Sequence, residues 1–139
     1  MSHTLEQTRN KNPMWFYERN YMFLMSVFSD FFMSGHHKSI FKNELITLTV
    51  EQLENSRYTS LICLKVAFKK LPQIDSISMT IRIYHDAGLA EVVAYQNISR
   101  LVAPCLLQKN NKEGDHKRQA NLLLYEILST CEKTILTVS

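Results

Sequence analysis

The chain has 139 residues, of which 45% are hydrophobic and 21% charged, and it carries a formal net charge of +3. These values are typical of one globular domain, and they exclude a disordered chain or one that needs disulfides or a metal to fold. The mild excess of basic residues is spread along the chain, so it does not favour a nucleic-acid partner.

The cysteines are Cys63, Cys105 and Cys131, an odd number without the paired spacing of a zinc site or a disulfide framework. Reduced thiols are typical of cytoplasmic proteins, because disulfides persist in oxidising compartments. The sequence contains no phosphate-binding glycine loop, nucleophile elbow or HExxH motif. We therefore predict a cytoplasmic protein with no metal and no cofactor.

The N-terminal part begins with a polar stretch and continues as an apolar helix. Residues 1–13 are predicted to be a frayed lead without a signal peptide, and residues 14–139 to form one α+β domain. Asn12-Pro13 suits a helix start, and apolar residues then recur at steps of three and four over residues 14–33. This helix is apolar beyond one stripe, so we expect it to be buried on several sides or to form a homodimer. Polar and charged residues interrupt it, which argues against a membrane span.

Alternating apolar and polar residues predict the strands. They are predicted over residues 39–41, 44–52, 57–69, 77–85 and 89–96. Because short turns separate most of these segments, we expect an antiparallel meander of about four strands.

The last part of the chain is predicted to end in a helix. Residues 101–108 are apolar, and Pro104 leaves both a strand and a short helix open. A helix is predicted from residue 116 to about residue 134, with Asp115 as its N-cap residue. The predicted fold class is α+β, with the N-terminal and C-terminal helices packed on one face of the antiparallel sheet.

The hairpin over residues 77–96 is the most informative segment. Successive side chains alternate across a sheet, so Arg82 and Tyr84 are predicted to point away from the core. Glu91 shares this outer face if the connecting loop has an even number of residues. In that phase the residues predicted to face inward are Met79, Ile81, Ile83, Ala90, Val92 and Ala94, and Thr80, Val93 and Tyr95 are predicted to face outward.

Three stretches of the sequence are similar to a known family. They are Glu18-x-Asn20-Tyr21-x-x-Leu24; Arg57-Tyr58-Thr59 followed by Ser78-Met79-Thr80-Ile81-Arg82-Ile83-Tyr84-His85-Asp86-Ala87 and Ala90-Glu91-Val92; and Asp115-x-Lys117-x-Gln119-x-Asn121-x-x-Leu124. Together they resemble the YqiB-like family of bacterial proteins, a domain of unknown function, from about residue 17 to residue 130. The resemblance implies a small cytoplasmic bacterial protein, and it implies no activity, cofactor or catalytic residue.

One group of candidate residues could carry out acid–base chemistry. His85 and Asp86 lie at the end of a predicted strand, and Glu91 follows across the hairpin. A histidine beside carboxylates can act as an acid–base pair or begin a metal site, and Asp115 and His116 could add ligands if the last helix starts nearby. The simpler interpretation is that Asp86 stabilises the turn through its own backbone and that His85 packs at the strand end.

A second group of candidates could bind an anion. Arg57, Arg82, Tyr84 and Glu91 are predicted to share the outer face of the sheet. The planar guanidinium group of arginine suits phosphate or carboxylate. The simpler interpretation is a solvated face on which Arg82 and Glu91 form an ion pair across the strands.

These patterns favour a non-enzymatic binding or regulatory module, because no catalytic pattern stands out. Its partner is expected to be another protein or a small anionic ligand, with no role at a membrane. Two alternatives stay open at this point. One is a small hydrolase or metal-dependent enzyme built on His85, Asp86, Glu91 and Asp115, and the other is an anion- or nucleotide-binding protein that uses Arg57, Arg82 and Tyr84.

Overall fold

The computed structural model describes residues 12–69, 76–96, 113–133 and 137–138. The predicted lead lies almost wholly outside these ranges, as does the segment 101–108, whose structure the sequence left open. The helices are α1 (Pro13–Val27), α2 (Ser29–Ser34) and α3 (Glu113–Glu132). The strands are β1 (Lys38–Lys42), β2 (Ile46–Asn55), β3 (Thr59–Phe68), β4 (Ile77–Tyr84), β5 (Leu89–Gln96) and β6 (Thr137–Val138).

The strands form an antiparallel sheet in the order β5-β4-β3-β2-β1-β6. The first five strands are a meander, because each pairs with the next strand along the chain. The predicted fold class, an antiparallel meander with a helix at each end, is therefore confirmed. In the described ranges the meander has five strands rather than about four, and the short β6 adds a sixth strand at the far edge of β1.

The first helix begins where the sequence predicts it. The side-chain oxygen of Asn12 accepts hydrogen bonds from the backbone N–H groups of Met14 (2.7 Å) and Trp15 (3.2 Å), and Pro13 occupies the first helical position. The single predicted helix over residues 14–33 is divided at Phe28 into α1 and α2. α2 ends at Gly35, whose φ of 76° is a left-handed conformation that glycine adopts without steric cost.

The core lies between the helices and one face of the sheet. Alternate residues of the central strands are buried, as the period-two pattern predicts. Phe28, at the end of α1, contacts Phe41 of β1 with 4.9 Å between the ring centroids. The most completely buried core residues on the strands are Leu48, Val50, Ile62, Leu64, Val66, Ile77, Met79, Ile81, Ile83, Ala90 and Val92. Within the described ranges, no helix has the length and apolar character needed to cross a membrane.

The structure corrects the predicted inward face of β5. The pairing of β4 with β5 shifts between Thr80 and Ile81, so that Thr80 lies opposite Ala94 while Ile81 lies opposite Val92. The extra residue, Val93, forms a β-bulge, and a bulge exchanges the two faces of the strand beyond it. Ala94 is therefore exposed on the outer face, where the sequence predicted it to be buried. Tyr95, predicted to face outward, packs against the core instead.

The structure also corrects the start of the last helix. α3 begins at Glu113 rather than at residue 116. Asp115 therefore lies within the first turn of the helix and is not the N-cap residue that precedes it. Boundaries are the least certain part of a helix prediction, because terminal turns have few intrahelical hydrogen bonds.

The helix α3 covers the outer edge of β5. Among the described residues β5 is the last strand on its side of the sheet, so backbone N–H groups on its outer edge need partners other than a described strand. The side-chain oxygen of Asn121 accepts the hydrogen bond of Val92 N–H at 2.9 Å. The amide nitrogen of Asn121 donates to the carbonyl of Lys117, and the carbonyl of Asn121 accepts from the buried side chain of Asn20. One residue thus joins β5, α3 and α1.

We expect Asn121→Ala to lower the free energy of unfolding by about 1–3 kcal/mol, because it leaves the buried N–H of Val92 without a partner. Urea unfolding measures the change. Glu132→Ala, at an exposed position of the same helix, is the control and should change stability little. Equal stability of Asn121→Ala and wild type would contradict this role.

A second stability prediction concerns pH. Glu126 of α3 is half-buried, and burial raises the pKa of its carboxyl group above the ordinary value. The folded chain therefore binds this proton more tightly than the unfolded chain, so Glu126 makes the protein less stable as the pH rises from the ordinary glutamate pKa through the raised one.

We expect Glu126→Gln to stabilise the protein at neutral pH and to lose this advantage below the ordinary pKa of glutamate. Urea unfolding at the two pH values measures it, with the exposed Glu132→Gln as the control. An equal gain for Glu126→Gln at both pH values would rule out titration of this group as the cause.

Candidate functional site

The hairpin of β4 and β5 presents a polar outer face. Its loop runs from His85 to Gly88, an even number of residues, so Arg82 lies directly opposite Glu91 and Tyr84 opposite Leu89. The prediction that Arg82, Tyr84 and Glu91 share one face is therefore confirmed. Gly88 has a φ of 68° and donates its N–H to the carbonyl of Tyr84 at 2.9 Å, which closes the turn.

The carboxylate of Glu91 is held by two partners. The hydroxyl of Tyr84 donates to its Oε1 at 3.0 Å, and the ammonium group of Lys117 lies 3.2 Å from its Oε2. Burial, followed by the hydrogen bond to Glu91, raises the pKa of Tyr84. The hydrogen bond to Glu91 likewise raises the pKa of Lys117. Both partners therefore keep their protons at neutral pH, and Glu91 is bound by a neutral phenol and a cation.

The ion pair predicted between Arg82 and Glu91 does not form. Instead, Glu91 forms an ion pair with Lys117 of α3, a residue that the sequence did not associate with the hairpin. Arg82 is half-buried, and its guanidinium group has neither a hydrogen bond nor an ion pair among the described residues. Its neighbours on the same face are Thr80 and Tyr84 along β4, both half-buried, and Leu61 across the sheet on β3.

Arg57 does not lie on a strand of the sheet. The sequence predicted a strand from residue 57, but β3 begins at Thr59, so Arg57 and Tyr58 are in the turn before it. The guanidinium group of Arg57 lies over the ring of Tyr58, 5.1 Å from its centroid. Tyr58 is 52% exposed. The predicted strand start was wrong because Arg57 and Tyr58 fit the alternating pattern although they lie in the turn.

His85 belongs to a different polar cluster, on the helix side of the sheet. Its Nε2 is 2.8 Å from the hydroxyl of Ser60, and that hydroxyl donates to the side-chain oxygen of Asn55 at 3.1 Å. An amide oxygen can only accept a hydrogen bond, so the Ser60 hydroxyl group donates its proton to Asn55. The Ser60 oxygen therefore accepts the hydrogen bond that it shares with His85, and His85 is the donor. The ring of Tyr21 packs edge-on against His85, with 6.2 Å between centroids. The cluster joins two turns of the sheet to α1.

Within the part of the chain that the structure describes, the residues predicted for acid–base chemistry do not lie together. His85 contacts residues on the helix side, whereas Glu91 lies on the outer face, and Asp86 is exposed in the turn. The side chain of Asp115 lies outside what the structure describes. Within the described ranges, no group of three or more His, Cys, Asp or Glu residues could hold a metal ion.

A groove lies between α1 and α3, next to the outer-face residues. It has a volume of about 330 Å³, counting space open to solvent. The residues that line it are Pro13, Phe16, Tyr17, Lys117, Arg118 and Asn121. Lys117 therefore lines the groove while its ammonium group contacts Glu91. Its side chain links the groove to the outer face of the hairpin.

Comparison with known proteins defines the class of this chain. Residues 24–135 match the family described as "Protein of unknown function (DUF1249)", and the chain belongs to that family. It is similar to the uncharacterized protein YqiB of Escherichia coli K12 and to its counterparts in strains O6:H1 and O157:H7. Each is 35% identical over 80 residues, which is 57% of this chain and 57% of the relative. No solved structure matches. The resemblance to the YqiB-like family is thus confirmed.

The three stretches that carry the resemblance meet in the fold. Asn20, in the first stretch, bonds Asn121 in the third. Lys117, also in the third, contacts Glu91 in the second. Sequence inspection missed Lys117 as a site residue and Ser60 as the partner of His85. The strand register could have indicated Ser60, because Ser60 lies opposite Ile83, close to the end of β4.

Proposed function

We propose that this chain is a non-enzymatic binding module of the bacterial cytoplasm, which binds a small anionic ligand at Arg82 on the outer face of the β4–β5 hairpin. This proposal rests on one observation, which concerns the charge pairing of the Arg82 guanidinium group. It lacks an ion-pair partner among the described residues although Glu91 lies directly opposite, because Lys117 and Tyr84 hold the Glu91 carboxylate. The bacterial setting is supported by the relatives in Escherichia coli.

The position of Arg82 favours a carboxylate or phosphate group as the ligand. A half-buried charge gives up part of its hydration, and it regains that free energy by pairing with an opposite charge. The guanidinium group offers parallel N–H groups that match two oxygens of one anion. The side chain of Thr80, on the same face, provides a hydroxyl beside this position.

The local charges favour a ligand with a single negative charge. Arg82 and Lys117 are positive and Glu91 is negative, so together they leave one positive charge. The hydroxyl proton of Tyr84 is directed to Glu91, which leaves the phenol oxygen as an acceptor and the ring as a contact surface. A carboxylate or a phosphodiester fits this arrangement better than a phosphate dianion, which Glu91 would repel.

Binding is better supported than the hydrolase or metal-dependent alternative. A nucleophilic serine must give its proton to the histidine beside it, but the proton of Ser60 is directed to Asn55. Ser60 is also only 3% exposed, so a substrate has no access to its oxygen in this conformation.

We expect anions to stabilise the wild-type protein and Arg82→Gln to weaken their binding about tenfold or more, since charge-assisted hydrogen bonds contribute roughly 1.5–3 kcal/mol. Thermal shift and calorimetry with acetate, dimethyl phosphate, inorganic phosphate and nucleotides measure this. Arg82→Lys should recover part of the affinity, because it keeps the charge and loses the planar fork.

The matched control is Lys65→Gln, which removes the same charge from an exposed position of the same sheet face. It should retain wild-type binding within about twofold, because exposed charges interact weakly. The proposal fails if no anion of the panel binds the wild type, or if Arg82→Gln and Lys65→Gln have equal effects.

A second candidate function is binding of a protein partner, here a second copy of the chain. Three methionines of the first two helices are exposed: Met14 by 46%, Met22 by 57% and Met33 by 86%. Methionine side chains adapt to apolar surfaces, and exposed apolar groups on one helix can mark an interface.

If a homodimer forms through this surface, the wild type should sediment as a dimer and the double variant Met22→Gln/Met33→Gln as a monomer. Leu45→Gln, at another exposed apolar position, is the control and should remain dimeric. A monomeric wild type at high protein concentration contradicts this candidate.

A further inference from the structure

We infer that Glu91 is a built-in competitor for the anion site and that Lys117 keeps the site open by holding Glu91 away from Arg82. This inference rests on the proposed function of Arg82. It assigns to Lys117 a positioning role, in which the lysine tunes the affinity of a site that it does not itself form.

The strand register places Glu91 directly opposite Arg82, so its carboxylate is near the proposed anion site whether or not a ligand is present. The two residues are direct cross-strand neighbours on one face, and the Cβ atoms of such pairs are about 4.5–5.5 Å apart. Both side chains are long enough for the carboxylate to meet the guanidinium group. The contact is nevertheless absent, because both oxygens of Glu91 are engaged on the side of Lys117 and Tyr84.

Lys117 is the charged member of this arrangement. Tyr84 offers Glu91 a neutral hydrogen bond, whereas Lys117 offers the countercharge. Without that charge, Arg82 is the cation that lies directly opposite Glu91 among the residues that the structure describes. The carboxylate would then turn to Arg82 and occupy the guanidinium fork, and a ligand would have to displace it.

The side chain of Lys117 is also accessible to covalent modification. Its side chain is 47% exposed, and it lines the groove between α1 and α3. Neutralising its charge, for instance by acetylation, would therefore have the same effect as removing the side chain.

The experiment is a double-mutant cycle read by calorimetry with dimethyl phosphate. Lys117→Gln should weaken binding roughly two- to fivefold, the size expected for a partly solvated ion pair formed in competition. Glu91→Gln alone should change binding less than Lys117→Gln does, because Lys117 already holds the carboxylate away from Arg82 in the wild type. In the Glu91→Gln background, Lys117→Gln should have no further effect beyond error.

The control for long-range charge is Arg118→Gln, which removes the same charge one residue away. Arg118 is exposed and lines the same groove, but it does not contact Glu91. If Arg118→Gln weakens binding as much as Lys117→Gln does, or if Lys117→Gln is equally harmful with and without Glu91, the competitor role is overturned while the Arg82 site stands. If dimethyl phosphate does not bind the wild type, the site itself fails.

A readout without ligand tests the rearrangement directly. The Nε–H signal of Arg82 in an NMR spectrum should exchange more slowly with water in Lys117→Gln than in wild type, because Glu91 then accepts from the guanidinium group. The protection should disappear in the double variant Lys117→Gln/Glu91→Gln. Unchanged exchange in Lys117→Gln would overturn the inference whatever the affinities show.

Discussion

The hydrogen bond between the backbone N–H of Val92 and the side chain of Asn121 determines where the last helix lies. It satisfies a donor on the free edge of the sheet, and the same residue binds Asn20 of α1. Lys117 precedes Asn121 by one helical turn and so lies on the same side of α3. The contact that covers the edge of β5 therefore also brings the Lys117 ammonium group to Glu91. Because Lys117 holds Glu91, Arg82 does not have that carboxylate as an ion-pair partner.

Much of the fold could be predicted from the sequence, because the strands have one buried face. A period of two fixed the inward residues of β3 and β4 and, with the loop from His85 to Gly88, the face of Glu91. The prediction failed after Val92, since Val93, Ala94 and Tyr95 fit either face of a strand equally well. A bulge there leaves no mark in the apolar pattern, and its position is decided by packing against the core.

The candidate site could be predicted only in part. Arg82, Tyr84 and Glu91 were grouped correctly because they belong to one hairpin, whose geometry is local. Lys117 was missed because its contact with Glu91 depends on how α3 lies against the sheet. Helical periodicity indicates which residues share a face of a helix, but it carries no information about the neighbour that this face meets. Arg57 was predicted to lie on a strand because the start of that strand was set two residues too early, and the structure places Arg57 in the turn before β3.

The bond between Asn20 and Asn121 joins residues that are 101 positions apart in the chain. During synthesis on the ribosome, α1 and all of the meander emerge before α3 does. Throughout that interval the outer edge of β5 lacks the helix that covers it, and the face of α1 around Asn20 lacks its partner. Such late, distant contacts form slowly, and an open strand edge can pair with other chains. Between the emergence of β5 and the docking of α3, we therefore expect this strand edge to be open to pairing with other chains.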